Sequence, residues 1–182
     1  MITIRAACIV ENILSRMLRL SECRFCRSPF SKHFLHTIAL TGVPPIHITV
    51  AEDNPSDVAT LREVLDQLGL DYVLTVLVDG AEARDFILKS GRFRDFSAAD
   101  LIFLDMNMPK LNGLEVLRQV PDSAELPLCV LTSSERERQS IEQHFGRKKV
   151  SYLIKPVTSE QLLQCLRSYS HLRPVVEKLT HH

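Results

Sequence analysis

From Ile46 onward, short β-rich runs alternate with stretches whose apolar residues recur at helical spacing. That alternation constrains the fold more than any other feature of the chain. Ile46-His47-Ile48-Thr49-Val50 reads as a first strand, and Asn54-Pro55-Ser56-Asp57 supplies helix-start chemistry. Val58, Leu61, Leu65 and Leu68 then line one side of a helix that Gly69 stops. Tyr72 to Val78 is a second strand, followed by Asp79-Gly80 and a helix over 81–89. Leu101 to Leu104 is a third strand with no polar interruption, as expected where both faces are covered. Gly113 to Val120 is a third helix, Leu126 to Leu131 a fourth strand, and a fourth helix follows Ser133-Ser134 with Ile141 and Phe145 facing inward. Ser151 to Ile154 is a fifth strand, and Thr158 or Ser159 caps a last helix that runs to His171. Such alternation predicts an α/β fold: a doubly wound, five-stranded parallel sheet with helices on both faces.

Charge and cysteine usage divide the chain near Pro44-Pro45, a stiff non-helical joint. The 182 residues carry 22 Lys+Arg and 22 Asp+Glu, so no overall basic excess marks a nucleic-acid binder. Residues 1–44, however, hold six basic and two acidic residues (+4), which leaves 16 against 20 (−4) for the remainder. The expected organisation is a poorly ordered basic extension over 1–45, a folded domain over 46–171 and a tail over 172–182. Cys23-x2-Cys26 with His33 and His36 has zinc-ligand chemistry, but the spacing is short and no strand or helix pattern frames it. Five cysteines, three of them before residue 45, do not make a secreted disulfide framework and point to a reduced, cytoplasmic setting. No apolar run approaches the roughly 18 residues of a membrane-spanning helix.

In open parallel sheets, ligands bind beyond the carboxyl ends of the strands. Strand 1 ends in Glu52-Asp53, strand 3 in Asp105, strand 4 in Thr132, and strand 5 runs into Lys155-Pro156. The fold therefore gathers three carboxylates, a hydroxyl and an ammonium at one edge. Unit charges about 4 Å apart repel by about 4 kcal/mol at an effective dielectric of 20, and the single lysine offsets only one of them. A divalent cation relieves the remainder, and Mg2+ favours such oxygen ligands. A carboxylate beside Mg2+ and an ammonium is arranged to accept a phosphoryl group. Asp105, on the central strand, is the candidate nucleophile, with Lys155 and Thr132 placed to stabilise the transferred group.

Ala51-Glu52-Asp53-Asn54, Leu104 to Gly113, Leu131-Thr132-Ser133 and Tyr152 to Pro156 together resemble the receiver domain of two-component response regulators. The resemblance covers about residues 46–170, and its four motifs occur in the right order on the right elements. It implies that Asp105 takes a phosphoryl group from the phosphohistidine of a sensor histidine kinase. It implies that Glu52 and Asp53 hold Mg2+ together with Asp105, Asp53 more directly and Glu52 through water, while Asn107 adds a backbone carbonyl. Thr132 and Tyr152 match the switch pair, and the Lys155–Pro156 peptide is expected to be cis. The wording at 51–57 and 131–134 is similar to small regulators associated with bacterial phytochromes, which makes a phytochrome-type kinase a partner class.

Only 27 residues follow Lys155, so the expected output is the surface formed by helix 4, strand 5 and helix 5, read by a partner or by a second copy in a homodimer. No direct DNA binding and no membrane association are expected. Beyond slow self-catalysed transfer and loss of the phosphoryl group, no enzymatic turnover is expected. The apolar residues Val175, Val176 and Leu179, beyond Pro174, are expected to form a dimer arm or a frayed end. The competing enzyme class is a haloacid-dehalogenase-like phosphatase, which also forms an aspartyl phosphate. It uses a second carboxylate two residues on, where this chain has Asn107. A flavin-binding flavodoxin-like protein would want a phosphate-cradling loop where this chain has Glu52-Asp53. Cys129, Cys165, His47 and His144 are expected to play packing or ordinary structural parts.

Overall fold

The computed structural model describes residues 44–121, 126–145 and 150–179. The zinc-ligand reading of Cys23, Cys26, His33 and His36 and the expected disorder of the extension lie outside them. Five parallel strands form one sheet in the order β2-β1-β3-β4-β5. They are β1 (Ile46–Ala51), β2 (Tyr72–Leu77), β3 (Leu101–Asp105), β4 (Leu128–Thr132) and β5 (Ser151–Ile154). Between and after them run α1 (Pro55–Gln67), α2 (Gly80–Ile87), α3 (Gly113–Gln119), α4 (Glu135–Phe145), α5 (Ser159–Ser168) and α6 (Arg173–Leu179). No helix among the described residues is long and apolar enough to cross a membrane.

Period-two alternation along buried strands sorts the core into two layers. Leu101 and Phe103 of β3 join Ile48, Val50, Cys129 and Leu131 on one face, under α1, α5 and α6. Ile102 and Leu104 join Leu77, Leu128 and Val130 on the other, under α2, α3 and α4. Phe103 is fully buried, so truncating it costs about 3–5 kcal/mol.

Local chemistry sets the element ends. The Asn54 side chain accepts from the Ser56 amide at 3.0 Å to start α1, and Gly69 follows its end at φ +67°. Asn112 and Glu115 form a capping box on α3, and Thr158 and Gln161 form one on α5.

Several element ends shift by one or two residues from the sequence reading, and three differences have a clear physical cause. Strand β4 begins at Leu128 rather than Leu126, because Pro127 has no N–H to pair and contributes only its carbonyl, to the Ile102 amide at 2.8 Å. Helix α5 ends at Ser168, since Tyr169 is extended and its hydroxyl reaches back to the Leu128 carbonyl at 2.7 Å. The third difference corrects the expected arm or frayed end: a further helix, α6, follows the last one read from the sequence, with Pro174 in its first turn and Val176 buried in the core. Proline suits that position, where its missing N–H has no intrahelical partner to lose.

Candidate functional site

The parallel ladder brings Glu52 and Asp53, just past β1, beside Asp105, the last residue of β3. Carboxylate oxygens of the three lie within 4.8 Å of one another. They are hard oxygen donors, the kind Mg2+ takes, so the set fits a divalent cation. Glu52 and Asp105 are buried, whereas Asp53 is exposed. The Asp105 carboxylate is fixed by the Asn107 amide, which donates to its Oδ2 at 2.7 Å. Beneath it, the α3 N-terminus lies close: a Cβ on Gly113 would stand 2.5 Å from the Asp105 carbonyl oxygen.

Lys155 follows β5 and precedes Pro156 across a cis peptide. Its backbone amide donates to the Thr132 carbonyl at 2.8 Å. Its Nζ reaches Glu52 Oε2 at 2.5 Å, Asp105 Oδ1 at 2.6 Å and Asp57 Oδ2 at 2.8 Å. An ammonium has three protons, and three carboxylates surround this one. Burial works against the Lys155 charge, but the bonds to Asp105, Asp57 and Glu52 outweigh it and raise the ammonium's pKa. Glu52 shifts upward as well. Burial is the main cause and Asp105 adds to it, while Lys155 and the Asn54 amide only partly compensate.

Thr132 is buried at the end of β4, but its hydroxyl donates to the Leu153 carbonyl at 3.2 Å. Tyr152 pairs in register with Val130, and its ring already packs against the core layer under α4. Among the described residues its buried hydroxyl has no hydrogen-bond partner, and burial raises its pKa. Asn107 is exposed and carries an amide where a haloacid-dehalogenase-type acid would have a carboxylate.

Two features escaped the sequence reading. Asp57 reads as ordinary helix-start acidity, yet its carboxylate meets a lysine 98 residues away. Asp79, also read as part of a turn, is buried, caps α2 by accepting from the Glu82 amide at 2.8 Å, and pairs with Lys110 at 2.6 Å. Lys110 sits at φ +66° in the loop after Asp105, and Gly80 donates its amide to Pro109 in the same loop at 3.2 Å. Only the Asp79-Gly80 pair after a strand could have signalled that strap.

The family model for the response regulator receiver domain matches residues 48–167. Response regulator Rcp1 of Synechocystis sp. is 37% identical over 97 residues, which covers 52% of this chain and 66% of that protein. The chain spans 50% of the length of several longer regulators that it also matches. Among solved structures, the bacteriophytochrome response regulator RtBRR superposes with a TM-score of 0.59 at 31% identity, over 69% of this chain and 78% of that one. The Mn(2+)-bound form of response regulator Rcp1 superposes with a TM-score of 0.52 at 30% identity, over 72% and 91% of the respective chains.

Proposed function

Because the chain belongs to the response regulator receiver domain family, we propose that it accepts a phosphoryl group on Asp105 from the phosphohistidine of a sensor histidine kinase. The observation that carries this reading is the Asp105 carboxylate itself. It ends the central strand, it is 2.6 Å from Lys155 Nζ, and it shares a cluster with Glu52 and Asp53. An Asp105 oxygen attacks phosphorus, the P–N bond to the kinase histidine breaks, and Lys155 stays ionised throughout to hold a phosphoryl oxygen. Glu52, Asp53, Asp105 and the Asn107 carbonyl would hold Mg2+, which when bound would neutralise charge on the carboxylates and on the transferring group. Asn107 offers no acid or base, which disfavours a haloacid-dehalogenase-type turnover. The likeness to bacteriophytochrome regulators and to Rcp1 supports a phytochrome-type kinase as the donor.

Phosphorylation adds roughly −1.5 to −2 charge at the end of β3. Thr132 then exchanges the Leu153 carbonyl for a phosphoryl oxygen, which shifts β4 against β5 beside Tyr152. The face that reads this change is the one built by α4, β5 and α5, where Arg138, Tyr152, Gln161 and Gln164 line a groove of about 330 Å3. Its reader is a partner protein or a second copy of the chain, and the protein works in the cytoplasm without binding DNA. Residues 46–171 carry the phosphotransfer, and 1–45 are dispensable for it.

Incubation with acetyl phosphate and Mg2+ followed by intact mass tests the site. One phosphoryl adduct is expected on the native chain and on the chain lacking residues 1–44, and none on Asp105→Asn. Equal adduct on Asp105→Asn would overturn the assignment.

A further inference from the structure

We infer that Asp57 is a positioning residue that competes with the phosphoryl group for Lys155 and thereby shortens the life of the phosphorylated state. The inference rests on the phosphoacceptor reading of Asp105. Asp57 lies in the first turn of α1, where an acid ordinarily serves the helix's own amides. Here that work is done by others: the Asn54 side chain accepts from Ser56, and the Asn54 carbonyl accepts from Asp57 and Val58. The Asp57 carboxylate turns to the sheet edge instead and takes the Lys155 ammonium at 2.8 Å.

The three partners of Lys155 are not equivalent. Glu52 and Asp105 side chains are 2% and 5% exposed, whereas Asp57 is 38% exposed. The inner two face the reacting centre, and Asp57 holds Lys155 from the solvent side, by α1. Forming the acyl phosphate on Asp105 removes the full negative charge from the oxygen that bonds phosphorus, and the new acceptor is a phosphoryl oxygen further out. Glu52 stays within the acidic cluster beside Asp53. Glu52 holds the ammonium from inside the cluster, and Asp57 is the outer partner that draws it away from the phosphoryl group. Space exists for that pull. A cavity of about 50 Å3, lined by Glu52, Asp57, Thr60, Leu61, Lys155 and Val157, lies on the same side. It has room for one or two waters beside the stem of the lysine.

The test is the rate at which the acetyl-phosphate-labelled protein loses its phosphoryl group, read by intact mass. Asp57→Asn keeps the shape and removes the charge. It is expected to lengthen the phosphoryl half-life by about two- to fivefold, the range a partly exposed ion pair supports, with a melting temperature near native. Asp57→Glu restores the charge and is expected to return the half-life to near native. A half-life in Asp57→Asn equal to or shorter than native would overturn the inference, as would equal lengthening in both variants. These outcomes are separable from failure of the phosphoacceptor reading, which would show as an adduct on Asp105→Asn.

Discussion

Replacing Gly80 by alanine tests how the loop after Asp105 is held. A Cβ at residue 80 would stand 1.7 Å from the Leu111 carbonyl oxygen and 2.6 Å from its carbon, where ordinary contact begins at 3.4 Å. The obstacle is backbone, so no rotamer change clears it. The loop must retreat by roughly another 1.7 Å, which pulls apart the 3.2 Å bond from the Gly80 amide to Pro109. Overpacking against backbone costs about 2 kcal/mol, and the lost hydrogen bond about 1 kcal/mol more. About 3 kcal/mol in a domain of this size lowers the melting temperature by about 10 °C. Gly69→Ala is the control. Among the described residues nothing lies within 4 Å of its Cβ, and its φ of +67° opposes the change, so it is expected to lose about 1 kcal/mol. Thermal unfolding followed by far-UV circular dichroism reads both. If Gly80→Ala melts as high as Gly69→Ala, the loop is not pinned at this point and the reasoning fails. The same melts in excess Mg2+ should show less metal stabilisation for Gly80→Ala than for the control, because the strap continues the segment that carries Asp105 and Asn107.

Glu52→Gln separates stability from metal binding. The folded state raises the Glu52 pKa, so the folded chain binds its proton more tightly than the unfolded chain does. Stability is therefore lost as pH rises from the ordinary carboxylate range through the raised value. In chelator at pH 7 the variant is expected to melt a few degrees higher than native and to bind Mg2+ more weakly by calorimetry; a lower melt would contradict the sign. Tyr152→Phe deletes a buried hydroxyl that has no partner among the described residues. It should gain about 1 kcal/mol in urea unfolding and still be phosphorylated, whereas a loss of stability would mean that the hydroxyl is satisfied in solution.

The sheet was legible because Ile46–Val50 and Leu101–Leu104 are β-rich runs whose faces are both covered, and period two then fixes each side chain's layer. The gathering of Glu52, Asp105 and Lys155 was legible for the same reason: parallel strands end together. Thr132 was placed at the right strand end, but its bond to the Leu153 carbonyl depends on a rotamer that no spacing encodes. Helix α6 was missed because proline both stops helices and begins them, and only the burial of Val176 distinguishes the two uses. Asp57 was hidden by its neighbours, since Asn-Pro-Ser-Asp explains itself as a helix start without any distant lysine.

The Tyr169 hydroxyl pins the carbonyl of Leu128, at the first residue of β4, while the Thr132 hydroxyl at the other end is bonded to the neighbouring strand. A strand tethered in this way pivots rather than slides. Leverage applied at Thr132 would fade toward Leu128, so amide exchange along β4 should grade from slow at the tether to fast at the tip once the domain is charged with phosphate.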